Sequence, residues 1–145
     1  MSRFSTQRLN QRIEKIENAF RKLGVVRVTR DPRAAPQLIE ISVSYPGWGD
    51  TQAEMLFTET WALERESWSL VKYDYDLFMK PGPDRLGFHW HDGLYHTHCA
   101  SRTDPGRDHH YAGAQIDIFK AFERFASILS RGRPISCVGL RPLRS

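Results

Sequence analysis

From Ser5 to Leu23 the apolar residues Leu9, Ile13, Ile16, Phe20 and Leu23 stand four, three, four and three apart. That spacing lays one stripe along a helix, with Ser5 as its N-cap and Gly24 where a C′ residue belongs. Beyond Gly24 the period shortens to two. Val25–Thr29 reads as a short strand, Leu38–Tyr45 alternates Ile39, Ile41, Val43 and Tyr45 with polar neighbours, and Ala53–Leu63 and Trp68–Phe78 repeat the alternation. Loops fall at Asp31–Pro36, Pro46–Asp50 and Pro81–Asp84, where proline, glycine and aspartate cluster. Leu86–Cys99 reads as a hairpin and residues 101–112 as a loop. A second helix spans Gly113–Ser130, with Ile116, Phe119, Phe122, Phe125, Ile128 and Leu129 on its apolar face. The last eleven residues are either an edge strand (Ile135–Leu140) or part of a loose basic tail over residues 131–145. Strands joined by short turns run antiparallel, so the expected fold is α+β: a meander of about six strands flanked by an N-terminal and a C-terminal helix. At 145 residues this is one domain, 1–145.

The hairpin holds the chemistry. All six histidines lie between residues 89 and 110. Asp92-Gly93 between alternating segments predicts a two-residue type I′ turn, because both central positions of that turn need positive φ. His91 then faces Leu94, His89 faces His96, and Gly87 faces His98. Alternation puts His89, His91, His96 and His98 on one face, and Phe88, Trp90, Tyr95, Thr97 and Cys99 on the other. A three-residue loop would instead pair His91 with Tyr95 and send His96 and His98 to the far face. Opposed Cβ atoms sit about 4.5–5.5 Å apart, within reach of a shared ligand. Four imidazoles on one face suit two chemistries. One is a divalent metal site (zinc, nickel or manganese), with His109 and His110 as further donors. The other is general acid–base catalysis near neutral pH, in which crowding of like charges lowers histidine pKa values. Lys72-Tyr73-Asp74-Tyr75-Asp76 places Asp74 and Asp76 on one strand face, where they bind a hard cation, orient histidines as hydrogen-bond acceptors, or simply form the solvent face of the strand. Trp48, Trp61 and Trp68 read as sheet-packing residues.

Charge sharpens the picture only partly. The net charge is +4, and 16 of the 21 basic residues are arginine. Residues 1–33 carry +6, residues 34–100 carry −6 and residues 101–145 carry +4. The arginine fork suits phosphate, so Arg85, Arg102 and Arg107 are candidate phosphate contacts, and Tyr95 is a further candidate for substrate binding. Ten carboxylates in the middle segment oppose an anionic ligand. No segment is apolar enough to span a bilayer, and no membrane partner is expected. The first eight residues lack the apolar core of a secretory signal. Two cysteines, Cys99 and Cys137, without a CxxC pair, exclude a cysteine zinc finger and fit a reducing compartment. The expected location is the cytoplasm.

Leu70–Leu77 with its Tyr73-Asp74-Tyr75, then Arg85–Asp92 with Phe88 and Trp90, then His96-Thr97-His98, resembles the TumE-type toxins of toxin–antitoxin systems. The resemblance covers about a fifth of the chain. Those proteins carry an arginine where His89 stands, an aspartate where His91 stands, and Asn-Ala-Pro in place of Asp92-Gly93-Leu94. The resemblance implies a growth-inhibiting toxin acting on RNA, with a cognate antitoxin as partner.

Three functions follow. The first is a toxin-like ribonuclease, with His89 and His96 as acid–base pair and His91 and His98 assisting. The second is a non-catalytic metal-binding module using the same four histidines. The third is an interaction protein or homodimer using the N-terminal helix stripe.

Overall fold

Ser5 caps the first helix as its sequence position predicts, its Oγ accepting from the Arg8 amide at 3.2 Å. Helix α1 (Thr6–Phe20) buries Leu9, Ile13, Ile16 and Phe20, the stripe read from the spacing. The computed structural model describes residues 3–31, 37–48, 51–79, 84–101, 104–131 and 135–141. A two-residue strand β1 (Arg3–Phe4) precedes α1. After it come β2 (Val25–Asp31), β3 (Leu38–Trp48), β4 (Thr51–Glu64), β5 (Ser67–Phe78), β6 (Arg85–His91), β7 (Leu94–Ser101), β8 (Asp104–Ala112) and α2 (Ile118–Ser130). Strands β2 to β8 form one antiparallel meander in chain order, and β1 pairs with β5. β6 covers only Tyr73–Phe78 of that β5 edge, and β1 takes Trp68 and Ser69 on it.

Both helices lie on the same face of the sheet. Phe20 of α1 meets Phe57 of β4 at 5.6 Å and Phe122 of α2 edge-on at 5.2 Å, while Phe125 of α2 stacks on Phe88 of β6 at 5.5 Å. The stripe of α1 is thus used inside the chain. In β5 a bulge changes the alternation. Lys72 pairs with Thr60 but Leu70 with Trp61, leaving Val71 as the extra residue. Tyr73, Tyr75 and Leu77 therefore point to the helices on one side of the bulge and Trp68 on the other, all buried. Trp61 is also buried, as expected of a packing residue; the side chain of Trp48 lies outside the described residues.

The core contains one charged side chain that alternation alone does not anticipate. Glu59 occupies an inward position of β4 and is 0% exposed. Four donors satisfy it: Arg12 Nε at 3.1 Å and Trp61 Nε1 at 3.1 Å on Oε1, and Arg12 Nη2 at 2.6 Å and Tyr75 Oη at 2.5 Å on Oε2. Arg12 also reaches Asp117, the N-cap of α2, at 3.3 Å, so this cluster ties both helices to the sheet.

Several expectations need correction. α1 ends at Phe20 rather than Leu23, and Gly24 is not a left-handed cap. A Cβ at Gly24 would lie 2.4 Å from the Ser44 carbonyl oxygen, so this glycine is required by close approach to β3. β3 and β4 run up to Trp48 and from Thr51, through most of the expected Pro46–Asp50 turn; residues 49–50 lie outside the described residues. The expected loop 101–112 is largely strand β8. Pairing with β7 supplies its backbone hydrogen bonds, so a polar sequence without alternation suffices at this end of the sheet. α2 starts at Ile118, capped by Asp117, not at Gly113. Residues 135–141 form no strand: Ile135 is buried and the Arg141 carbonyl accepts from the Ala112 amide at 2.7 Å. The cysteines, read as reduced thiols, are joined as a Cys99–Cys137 disulfide that fastens this segment to β7.

Candidate active site at the histidine hairpin

Asp92 and Gly93 adopt φ of 53° and 74°, the two left-handed positions that a type I′ turn demands. The register follows: His91 pairs with Leu94, His89 with His96, and Gly87 with His98. The four hairpin histidines therefore share the sheet face opposite the helices. β8 adds His110, which pairs with His98. His89, His96 and His98 are 8%, 5% and 9% exposed. Ring centroids lie 4.2 Å apart for His89–His98, 4.8 Å for His96–His98, 4.7 Å for His91–His96 and 4.2 Å for His98–His110.

Pairing of β5 with β6 sets Asp74 opposite His89 and Asp76 opposite Gly87. His89 Nε2 lies 2.8 Å from Asp76 Oδ1, and His89 Nδ1 lies 3.1 Å from Asp74 Oδ1. A carboxylate only accepts, so both bonds are satisfied when both ring nitrogens carry hydrogens. Asp76 also accepts from Arg85 Nη2 at 3.0 Å, and Asp74 pairs with Lys72 Nζ at 3.4 Å. Beside this charged group, His96 Nε2 and His98 Nε2 share a hydrogen bond at 2.9 Å, one ring donating and the other accepting. His96 Nδ1 is buried without a well-formed hydrogen bond. Burial, and then the charges His89, His91 and His110 can carry, lower the His96 pKa below the ordinary 6.5. Ligating atoms of His89, His96 and His98 all fall within 4.8 Å of one another.

These side chains line a cavity of about 450 Å³ together with Lys72, Asp74, His91, Leu94 and His110. Of the other residues expected at the site, Arg85 is engaged with Asp76 and sits over the Phe78 ring rather than in the cavity. Tyr95 lies on the helix side of the sheet, against Tyr73 and Trp90. Arg102 lies outside the described residues; Arg107 and His109 are in β8, His109 paired with Cys99, and their side chains lie outside the described residues. Lys72 and Gly87 were not singled out from the sequence. An isolated glycine inside an alternating strand is a signal of close approach, and it was legible at Gly87. A Cβ there would lie 2.1 Å from Asp76 Oδ1 and 3.0 Å from His89 Nε2, so only glycine lets this carboxylate reach the ring.

The arrangement offers a ring held between two carboxylates, a hydrogen-bonded imidazole pair beside it, and room for a small polar group between them. Comparison with protein-family models, curated proteins and solved structures finds no match for this chain.

Proposed function

We propose that the histidine pocket cleaves phosphodiester bonds in RNA by general acid–base catalysis. The observation that carries this reading is the contrast between neighbouring imidazoles. His89 sits between two carboxylates, 2.8 Å from Asp76 and 3.1 Å from Asp74, while His96 is buried beside His98 and its pKa is lowered by that burial. Burial assigns His96 the part of base, and the ring held by the carboxylates is placed as the proton donor. His96 takes the proton of the ribose 2′-hydroxyl as its oxygen attacks phosphorus. The bond from phosphorus to the 5′-oxygen breaks, and His89, its Nδ1 released by Asp74 to Lys72, gives that oxygen its proton. A 2′,3′-cyclic phosphate and a 5′-hydroxyl result. His91, at 43% side-chain exposure, stands at the mouth, and Lys72 is the cation on the rim.

The charge pattern is less hostile to RNA than the sequence suggests. Asp74 and Asp76 are paired with Lys72, Arg85 and His89, and Glu59 is buried on the helix side of the sheet. In register across the outer face lie His96, His89, Asp74, Thr58, Ser42 and Arg27. This polar row is roughly 24 Å long at the spacing of sheet strands. The resemblance to TumE-type toxins supports RNA as the substrate class, and with it a cognate antitoxin.

The test is cleavage of a short fluorogenic RNA by wild type, His89→Ala and His96→Ala, with a 2′-deoxy substitution at the scissile nucleotide as control. Each variant is expected to lose about 10²- to 10⁴-fold, and the deoxy substrate to resist cleavage. Full activity in both variants, or cleavage of the deoxy substrate, refutes the reading.

A further inference from the structure

We propose that His89, His96 and His98 also bind one late first-row divalent ion, zinc, nickel or copper, and that occupancy by the ion excludes acid–base work at the pocket. The exclusion rests on the catalytic reading above; the binding stands on ligand geometry alone. Three imidazoles from two adjacent strands bring their ligating atoms within 4.8 Å of one another, with His96 Nε2 and His98 Nε2 2.9 Å apart. Ligand nitrogens around a tetrahedral zinc at 2.0–2.1 Å are separated by about 3.3 Å. The observed set brackets that spacing, so small side-chain rotations suffice. His96 is also one-twentieth exposed, and its Nδ1 meets only the Leu94 backbone, without well-formed geometry, so the ring is weakly held within the chain.

The donor set selects the metal. Imidazole nitrogen suits zinc, copper and nickel, whereas magnesium, calcium and manganese prefer oxygen. His89 must free one nitrogen from a carboxylate. Asp76 is buried and neutralised by Arg85, so it keeps its bond and orients the ring. Asp74 is the more exposed partner and retains Lys72 when His89 Nδ1 leaves it. A carboxylate on the far nitrogen of a ligating histidine fixes the ring and strengthens it as a donor. His110, whose ring centroid is 4.2 Å from that of His98, stands where a fourth ligand or an incoming group would be received. A nitrogen bound to the ion has no lone pair left to accept a proton, so the metal-loaded pocket loses its base.

The test is isothermal titration of chelator-treated full chain with zinc chloride and nickel chloride, with magnesium chloride as control. Folding of each variant is checked by circular dichroism. One equivalent of zinc is expected for wild type, with at least tenfold weaker binding by His98→Ala and by its conservative counterpart His98→Gln. Asp76→Asn is expected to weaken binding about 10- to 100-fold, while Lys120→Ala, on the exposed surface of α2 across the sheet, leaves it unchanged. Wild-type binding no tighter than that of folded His98→Gln, or equal affinity for magnesium, overturns the site. RNA cleavage in the same samples separates the two proposals. Cleavage that falls as zinc fills the site supports both. Zinc binding with cleavage unaffected overturns the exclusion, and zinc binding by a protein that never cleaves RNA overturns the catalytic reading alone.

Discussion

Replacing Gly87 by alanine tests the pocket without altering any group that does chemistry. Gly87 sits on β6 opposite both Asp76 and His98. Its φ lies outside the left-handed region, so the backbone accepts alanine and the effect is steric. The new Cβ would be 2.1 Å from Asp76 Oδ1, against an ordinary contact beginning at 3.4 Å. The carboxylate must withdraw by more than an ångström, which lengthens its 2.8 Å bond to His89 Nε2 beyond hydrogen-bonding range. Arg85 receives the displaced carboxylate, so no buried charge is orphaned. A hydrogen bond to a charged group contributes about 1.5–3 kcal/mol. If cleavage depends on His89 as a held proton donor, kcat/KM falls about 10- to 150-fold. The assay pairs RNA cleavage with nitrogen-15 NMR of the histidine rings, where loss of the bond moves the His89 Nε2–H resonance and speeds its exchange with water. Asp76→Asn serves as comparison. A Gly87→Ala protein with an altered His89 resonance and wild-type cleavage refutes the positioning argument; one with an unaltered resonance refutes the steric argument.

Other expectations concern the frame around the site. Arg12→Met leaves Glu59 buried with only Trp61 and Tyr75 as donors, and urea unfolding followed by tryptophan fluorescence is expected to show a loss of about 3 kcal/mol, with the double variant Arg12→Met/Glu59→Leu recovering most of it; additive losses would sink this. The Cys99–Cys137 bridge spans 38 positions, so chain entropy assigns it about 4 kcal/mol, measured as the difference in unfolding free energy between wild type and Cys99→Ser/Cys137→Ser. An unchanged urea midpoint would show that the bridge does not hold the C-terminal segment. His96 titrates below 6.5 when folded. Below that pH the unfolded chain binds a proton that the folded one refuses, so this stability contribution is complete above 6.5 and lost as pH falls. His96→Gln should therefore flatten the decline in stability between pH 6.5 and 5, and an identical slope in the variant would contradict the shift.

Much of the architecture was legible because local rules decide it. The α1 stripe is fixed by helical period, and burying it against a sheet is the cheapest solution for a chain this short. The faces of β3, β4 and the hairpin follow from period two. Where expectation failed, the deciding contact was remote in sequence. β8 carries no alternation and exists because β7 offers an open edge. Gly24 looks like a cap and is instead a close approach to Ser44. Arg85 looked like a substrate contact until pairing gave it to Asp76, whereas Tyr95 stays on the aromatic face to which alternation had assigned it.

The histidine site divides along the same line. Asp92-Gly93 determines the turn, the turn determines the register, and register places His89, His91, His96 and His98 on one face, all through torsions and neighbours within about a dozen residues. Nothing so local sets β5 beside β6. That pairing turns Asp74 and Asp76 from the solvent face of a strand into the two acceptors of His89, and β8 adds His110 from beyond the hairpin. The disulfide and the Arg12–Glu59 bond join segments 38 and 47 positions apart. Such contacts depend on which of many possible strand and helix packings buries the most apolar surface with every buried polar group satisfied. That competition involves the whole chain, so only the tertiary structure decides it.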